Sequence, residues 1–313
     1  MPDPKQQTIS ATEMAGLLGV SPYVTRWMLW QKFAKGIEPA NPAHNRMDWG
    51  LKLEPLILEQ AAQDLRLEVQ TNRQADGSQV YVRRGLLGCS RDAEIYDPQR
   101  GPGACEAKAC FDYRTLMEQW DGGKTPPRHV EIQTQVQMYV GKDGKPFDWG
   151  CIALWCGGDM TYFHRKPMPD LWAKFEEEAR QFFDDVLAGR EPEPFGSPVE
   201  VPLLKQIFDK PTGEIIDAVA KFGEVEATRL AQRVVDAEYQ RVQRLAAEKV
   251  EEKVKAELLG LLKDADEIDL PQGIRVTRKI GSSQYKAQPA RTVQTISIKS
   301  HIPQQIDGGF GGI

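Results

Sequence analysis

The stretch Leu86-Leu87-Gly88-Cys89-Ser90-Arg91-Asp92-Ala93-Glu94-Ile95-Tyr96, followed after a turn-rich gap by Gly103-Ala104-Cys105-Glu106-Ala107-Lys108-Ala109, decides how this chain is read. The gap holds Asp97-Pro98 and Gly101-Pro102, residues that end regular structure, so the pattern predicts strands over 86–96 and 103–109. A further strand is expected over 78–84, set off by Gly85. In a strand, residues i and i+2 share a face, so Glu106 and Lys108 point together while Ala107 points away. With the strand bearing Asp92 adjacent, its carboxylate joins Glu106 in a site suited to a hard divalent cation. Mg²⁺ takes one or two carboxylates plus phosphate oxygens and water, and the Ala107 carbonyl is a further candidate ligand. Lys108 would then orient and help deprotonate a metal-bound water, which is the equipment of metal-assisted phosphodiester hydrolysis. A Glu-x-Lys pair on a strand is also what an exposed ion pair looks like, so the surrounding features decide its weight.

Upstream, residues 12–34 read as helix, turn and helix, broken at Gly19-Val20-Ser21-Pro22, and a third helix covers about 47–66. Glu54 falls in the row Met47, Leu51, Glu54, Leu58, Ala61, Leu65, which is otherwise apolar. A carboxylate there must be paired, protonated or bound to a cation. Pro55 disfavours helical geometry at Glu54, so a kink or a helix start is expected at that point. Downstream, 128–140 reads as a helix on which Gln135 and Tyr139, four apart, share a face. Strands over 149–156 and 159–165 are joined by Gly157-Gly158, a hairpin signal, and a helix follows over about 169–188. The expected fold is mixed α/β (α+β), a mixed central sheet flanked by helices.

The Pro-rich stretch 191–202 marks a boundary, giving an N-terminal domain over 1–195 and an extension over 196–313. In the extension, Val235, Tyr239, Val242, Ala246, Val250, Val254, Leu258 and Leu261 recur every three or four residues, a long amphipathic helix with a packing face. A β-hairpin is expected over 273–299, then a disordered tail.

With 313 residues, 41% of them apolar and 27% charged, the chain has a globular composition rather than a disordered or fibrous one. No run approaches the roughly 18 apolar residues of a membrane helix, and the N-terminus lacks a signal peptide's apolar core, so a cytoplasmic protein without membrane contact is expected. Five cysteines suit free thiols, and the pairs Cys105/Cys110 and Cys151/Cys156 lack the close spacing of a metal cluster. The net charge of −5 excludes a general polyanion-coating protein, though not a nuclease. No Gly-x₄-Gly-Lys loop is present, which argues against an intrinsic ATPase. The histidines are scattered, and of them only His129, near the Gln135 helix, is placed to approach a nucleic acid. Trp27 and Trp30, three apart on one helix, could stack against a DNA end, but at least one of them is expected in the core.

Taken in order, Gly88-Cys-Ser-Arg-Asp92, Glu106-Ala-Lys108 and Gln135-Val-Gln-Met-Tyr139 resemble the three motifs of RecB-like nucleases of the PD-(D/E)xK superfamily. Leu18-Gly-Val-Ser-Pro-Tyr23, Leu29-Trp30 with Lys32, and Trp49-Gly50 with Leu53-Glu54-Pro55 look like the N-terminal signatures of the YqaJ viral recombinase family, to which lambda-type exonucleases belong. The resemblance spans about residues 5–190. It implies a restriction-endonuclease-like sheet and a Mg²⁺-dependent exonuclease, with Mn²⁺ as the alternative metal. Such an enzyme degrades linear double-stranded DNA 5′ to 3′ and leaves 3′ overhangs for a single-strand annealing protein.

It further implies a ring-shaped homo-oligomer encoded by a phage or prophage. Asp92 and Glu106 would be the central metal ligands, with the Ala107 carbonyl beside them and Glu54 completing a two-metal site. Lys108 would activate water. Ser90, Gln135 and Tyr139 would contact the DNA or its 5′ phosphate, Thr12 would supply a phosphate-pocket hydroxyl, and Lys5 would stand where a family arginine does. Two rival readings remain: an endonuclease or repair nuclease on the same site, and a DNA-binding or scaffold protein acting through the C-terminal helix.

Overall fold

The computed structural model describes residues 8–38, 45–74, 77–210, 213–262, 267–270 and 274–277. The chain runs β1 (Ile9–Ser10), α1 (Ala11–Leu17), α2 (Arg26–Lys35), α3 (Asn45–Leu65), β2 (Glu68–Thr71), β3 (Tyr81–Arg84), β4 (Leu87–Ser90), β5 (Ala93–Asp97) and β6 (Gly101–Cys110). It continues through α4 (Tyr113–Gln119), α5 (Arg128–Val140), β7 (Gly150–Cys156), β8 (Asp159–Arg165), α6 (Pro169–Leu187) and α7 (Val201–Ile207). The remaining elements are α8 (Ala218–Phe222), α9 (Glu224–Leu262), β9 (Glu267–Leu270) and β10 (Ile274–Thr277).

Five strands form the main sheet in the order β2-β5-β6-β7-β8, antiparallel except for the parallel pair β6/β7. A parallel pair needs a long crossover, and here α4 and α5 supply it. A smaller sheet, β1-β4-β3, is also mixed. The expected mixed α/β architecture with helix-covered sheets is therefore what the chain adopts. The β7/β8 hairpin turns at Gly157 and Gly158, whose φ of +61° and +102° are open to glycine at little cost.

The alternation of side chains decides which helix covers which face of the main sheet. Cys105, Ala107, Cys151 and Ala153 face α3, where Ile57, Leu58 and Ala61 pack on them. Ile152 and Leu154 face the other way, onto Val130 of α5. A second core of Ile9, Met14, Leu29, Leu87, Val136, Met138, Phe175 and Phe182 joins α1, α2, α5 and α6 to the small sheet. Trp27 and Trp30 are both buried. All five cysteines are free, and two pairs face each other across β6 and β7 in register, Cys105 with Cys151 and Cys110 with Cys156.

Two expectations change. The strand read over 86–96 is two strands in different sheets, because Arg91 turns inward between them. Arg91 is 1% exposed and donates to the Gly141 carbonyl and to Glu94, anchoring the corner. Second, α3 runs unbroken through Pro55, which sits on its exposed side. The hydrogen bond that proline removes would have gone to Leu51, itself exposed. Among the described residues β10 pairs with β9, while the rest of the hairpin expected over 273–299, and the tail, lie outside the described residues.

Two compact units are present, Met1–Asp209 and Lys210–Ile313, so the division falls beyond residue 195. What carries 196–209 into the first unit is Glu200, fully buried. It accepts hydrogen bonds from Thr25 Oγ1 (2.6 Å) and from the backbone N–H groups of Phe195, Gly196 and Ser197. Leu203 follows it into a cluster with Trp27 and Met28. In the second unit α9 is 39 residues long, and Tyr239, Val242, Val250, Val254 and Leu261 of the expected stripe are exposed. Among the described residues no helix is long and apolar enough to cross a membrane.

Glu200→Ala strands three backbone donors and the Thr25 hydroxyl, and is expected to lower the unfolding free energy by about 2–3 kcal/mol. Urea denaturation measures this as a lower midpoint at constant slope. An unchanged midpoint would remove Glu200 as the clasp of this segment.

Candidate active site

The site forms where the main sheet is incomplete. Strand β5 begins at Ala93, opposite Cys105, so β6 has no ladder partner on that side beyond Cys105 among the described residues. Asp92, at the corner just before β5, takes over from the ladder: its Oδ2 accepts the Ala107 N–H at 2.9 Å. A cavity of about 650 Å³ opens along this free edge. Glu54, Asp92, Glu106, Ala107 and Lys108 line it, together with Thr12 and Ser90.

Glu106 is 1% exposed and carries the densest set of polar contacts in the site. Oε1 accepts from Lys108 Nζ and from Gln133 Nε2, and Oε2 accepts from Gln137 Nε2. Gln133 and Gln137 lie four apart on α5 and so reach down from one helix face. Lys108 itself is opposed in its charge by burial, but Glu106 and then Asp92 outweigh that, holding its pKa above the ordinary lysine value. Asp92 goes the other way. Burial first, then the charges of Glu106 and Glu54, raise its pKa well above the usual carboxylate range against the pull of Lys108.

Glu54 reaches the cavity from α3, on the opposite side of the sheet from the α5 glutamines. It is 7% exposed and accepts from Arg73 Nη2 at 2.6 Å. Among the described residues no group of three or more His, Cys, Asp or Glu side chains gathers closely enough to hold a metal ion by itself. The donor chemistry nevertheless fits a hard cation. Asp92 and Glu106 are the one or two carboxylates Mg²⁺ asks for, and a charge of +2 would relieve the mutual repulsion that raises Asp92. A second metal would need Glu54, which Arg73 engages here.

The upper end of the cavity is lined by Ser10, Thr12, Glu13, Lys32 and Ser90. Lys32 bridges Glu13 and Glu38, each at 3.0 Å. Lys5 lies outside the described residues.

Gln135 and Tyr139 are not among the residues that line this cavity. Gln135 is 1% exposed and does not line the cavity. Its amide donates to the Lys166 carbonyl (2.9 Å) and its oxygen accepts from Met168 N–H and Trp172 Nε1. Tyr139 donates its hydroxyl to Glu176 at 2.8 Å, and the Arg84 guanidinium sits 4.7 Å from its ring centroid. In this structure both tie α5 to α6 and its approach, and Tyr139 also meets Arg84 of β3. The reason is helical geometry: residues two apart point to nearly opposite sides, so Gln133 and Gln137 face Glu106 only if Gln135 does not. Periodicity applied to Gln133-Thr-Gln-Val-Gln137 as a whole was the available signal. Arg73 and Gln79, the latter 3.4 Å from Asp92 Oδ1, had none.

His129, at the start of α5, meets Tyr23 edge-on at 5.6 Å. Burial and then the Lys108 charge lower its pKa to about 4. It is thus neutral at pH 7. Because the unfolded chain binds that proton near pH 6.5, stability is expected to fall as the pH drops from 6.5 toward 4. An NMR titration of His129 with a midpoint near 6.5 would contradict this.

Gln135→Ala is expected to cost about 1–3 kcal/mol of stability, since it leaves the Trp172 indole N–H and the Met168 amide without their acceptor. Thermal or urea denaturation reads this directly. A variant as stable as the parent would free Gln135 from the packing role.

Residues 3–143 match the family model of the YqaJ-like viral recombinase domain. No curated protein matches the chain. Among solved structures, an alkaline exonuclease (LHK-Exo) from Laribacter hongkongensis is similar at 18% identity, covering 66% of this chain and 96% of that one, with a TM-score of 0.43. The same enzyme in complex with dAMP aligns at 17% identity over 65% and 94%, with a TM-score of 0.45. A phage related exonuclease from Haemophilus somnus 129PT aligns at 12% identity over 58% and 96%, with a TM-score of 0.46. The open edge of β6, with Glu54, Asp92, Glu106 and Lys108 around it, thus lies within the stretch that matches the YqaJ-like viral recombinase domain.

Proposed function

We propose that this chain is a divalent-metal-dependent deoxyribonuclease that degrades one strand of linear double-stranded DNA from its 5′ end. The product, a 3′ single strand, then serves recombination by annealing. The observation that carries this reading is the cavity on the free edge of β6, where Asp92, Glu106 and Lys108 converge. The ordered motifs and the family match over residues 3–143 support it independently of that geometry.

Asp92 and Glu106 would hold Mg²⁺, or Mn²⁺ in its place, with the Ala107 carbonyl adjacent. When bound, the metal supplies a Lewis acid and lowers the pKa of water. The chain's own residues do the rest. Gln133 and Gln137 keep both Glu106 oxygens oriented. Lys108, whose pKa is raised, stays protonated, so it orients water and balances charge on the phosphate rather than removing a proton. Glu54 would serve a second metal once released by Arg73. The hydroxyls of Thr12 and Ser90 would receive a terminal 5′ phosphate, with Lys5 as a further contact.

The acidic overall charge is compatible with a ring-shaped homo-oligomer, in which only the surface facing DNA must be basic. We assign the nuclease to the N-terminal domain and leave the α9 stripe for association, with a single-strand annealing protein as the downstream partner. The natural setting would be the cytoplasm of a bacterium carrying the phage or prophage.

Digestion of a 5′-phosphorylated linear duplex, labelled at either end of one strand, tests the reading with Mg²⁺ or EDTA and a closed circular control. Metal-dependent loss of the 5′ label first, with circles intact, is the expected result. Cleaved circles would replace it with an endonuclease, and no cleavage in any metal would end it. Lys108→Ala is expected to lower the cleavage rate at least 100-fold while DNA is still retained in a gel-shift assay. Parent-like cleavage in that variant would take Lys108 out of the chemistry.

A further inference from the structure

We infer that Phe111 is a stacking platform for a nucleobase of the strand held in the cavity, an assignment that rests on the nuclease reading above. Phe111 is the first residue past β6, three positions beyond Lys108, and its side chain lines the same cavity as Asp92, Glu106 and Lys108. It is 37% exposed, whereas Phe175 and Phe182 are fully buried, so its ring is not spent on the core. An edge-to-face contact with Trp155 of β7, at 6.3 Å between centroids and 68° between planes, fixes the orientation of the ring. The helix that follows buries none of its side chains, and its Tyr113 is 72% exposed and Met117 48%. Apolar surface therefore continues outward from Phe111.

The ring lines a cavity that also holds Asp92, Glu106 and Lys108, and a nucleic acid strand asks for apolar and charged surfaces at once. Its phosphates need cations and oriented dipoles, while its bases present π faces that water solvates poorly. Lys108 and a metal on Asp92 and Glu106 answer the first need, and Phe111 answers the second within the same nucleotide or its neighbour. Stacking on an aromatic ring accepts every base, which suits an enzyme that must advance through any sequence. A ring that merely covered Trp155 would need volume alone, so a leucine or methionine would serve as well. A platform needs a plane.

The test uses the full chain and a 5′-phosphorylated duplex with 2-aminopurine at each of the first three nucleotides from that end, in EDTA so that nothing is cut. Binding to the parent protein is expected to quench the fluorescence at one or more of these positions. Phe111→Leu and Phe111→Met, two non-planar replacements at a half-exposed site, are expected to lose the quench and to raise the DNA Kd and the KM in Mg²⁺ about tenfold, with a smaller change in kcat. Phe111→Tyr is expected to keep all three within about threefold. Parent-like quenching and affinity in the non-planar variants would overturn the assignment, as would a Tyr variant as impaired as they are at equal thermal stability. If the parent protein leaves linear DNA uncut in Mg²⁺, it is the nuclease reading that fails. If it cuts normally and the variants quench as it does, the platform alone fails.

Discussion

The Asp92 carboxylate bound to the Ala107 amide is the contact on which the rest of the site depends. A strand edge left by a neighbour that stops short would expose backbone donors to solvent or to another chain. Here one side-chain oxygen substitutes for the missing strand. It ties the corner between the two sheets to β6 at the point where Glu106 and Lys108 flank Ala107. The buried Arg91 fixes the same corner from behind, through Gly141 and Glu94. Asp92 is thus structural, and in the proposed nuclease the geometry of that contact would also set the geometry of metal binding.

Glu106 illustrates how a carboxylate survives deep in a fold. Isolated burial of such a charge costs several kcal/mol, which the protein offsets with one ammonium and two carboxamides on its two oxygens. The amides orient the group without adding charge of their own. Glu54 has a different solution, a single guanidinium from Arg73, a residue in a loop-like segment between β2 and β3. The two carboxylates are held by unlike sets of partners: Glu106 by two neutral amides of α5 together with the Lys108 ammonium, Glu54 by the Arg73 guanidinium.

Much of this was legible in the sequence because it depends on short-range geometry. The i, i+2 rule set Glu106 and Lys108 on one face of β6, and Gly157-Gly158 announced the β7/β8 turn. Glu54 stood out as a carboxylate in an apolar row and does reach the cavity. What escaped notice depends on contacts distant in sequence. Nothing near Asp92 says that the strand breaks there, since the inward turn of Arg91 is decided by Gly141, fifty residues on. Gln135 was picked over Gln133 and Gln137 because a helix face cannot be assigned until the strand beneath it is known. The Pro-rich stretch 191–202 reads as a domain boundary, whereas Glu200 within it finds its partner in Thr25, far upstream, a contact no local pattern announces.

The free edge of β6 has one more consequence, for the protein's behaviour in solution. Unpaired strand edges are templates on which other chains can add, and proteins guard them with charges, bulges or covering elements. Around this edge stand Asp92, Glu106 and Lys108, the kind of residues that act as gatekeepers against edge-to-edge pairing. The proposed chemistry would therefore share its side chains with the protection of this edge.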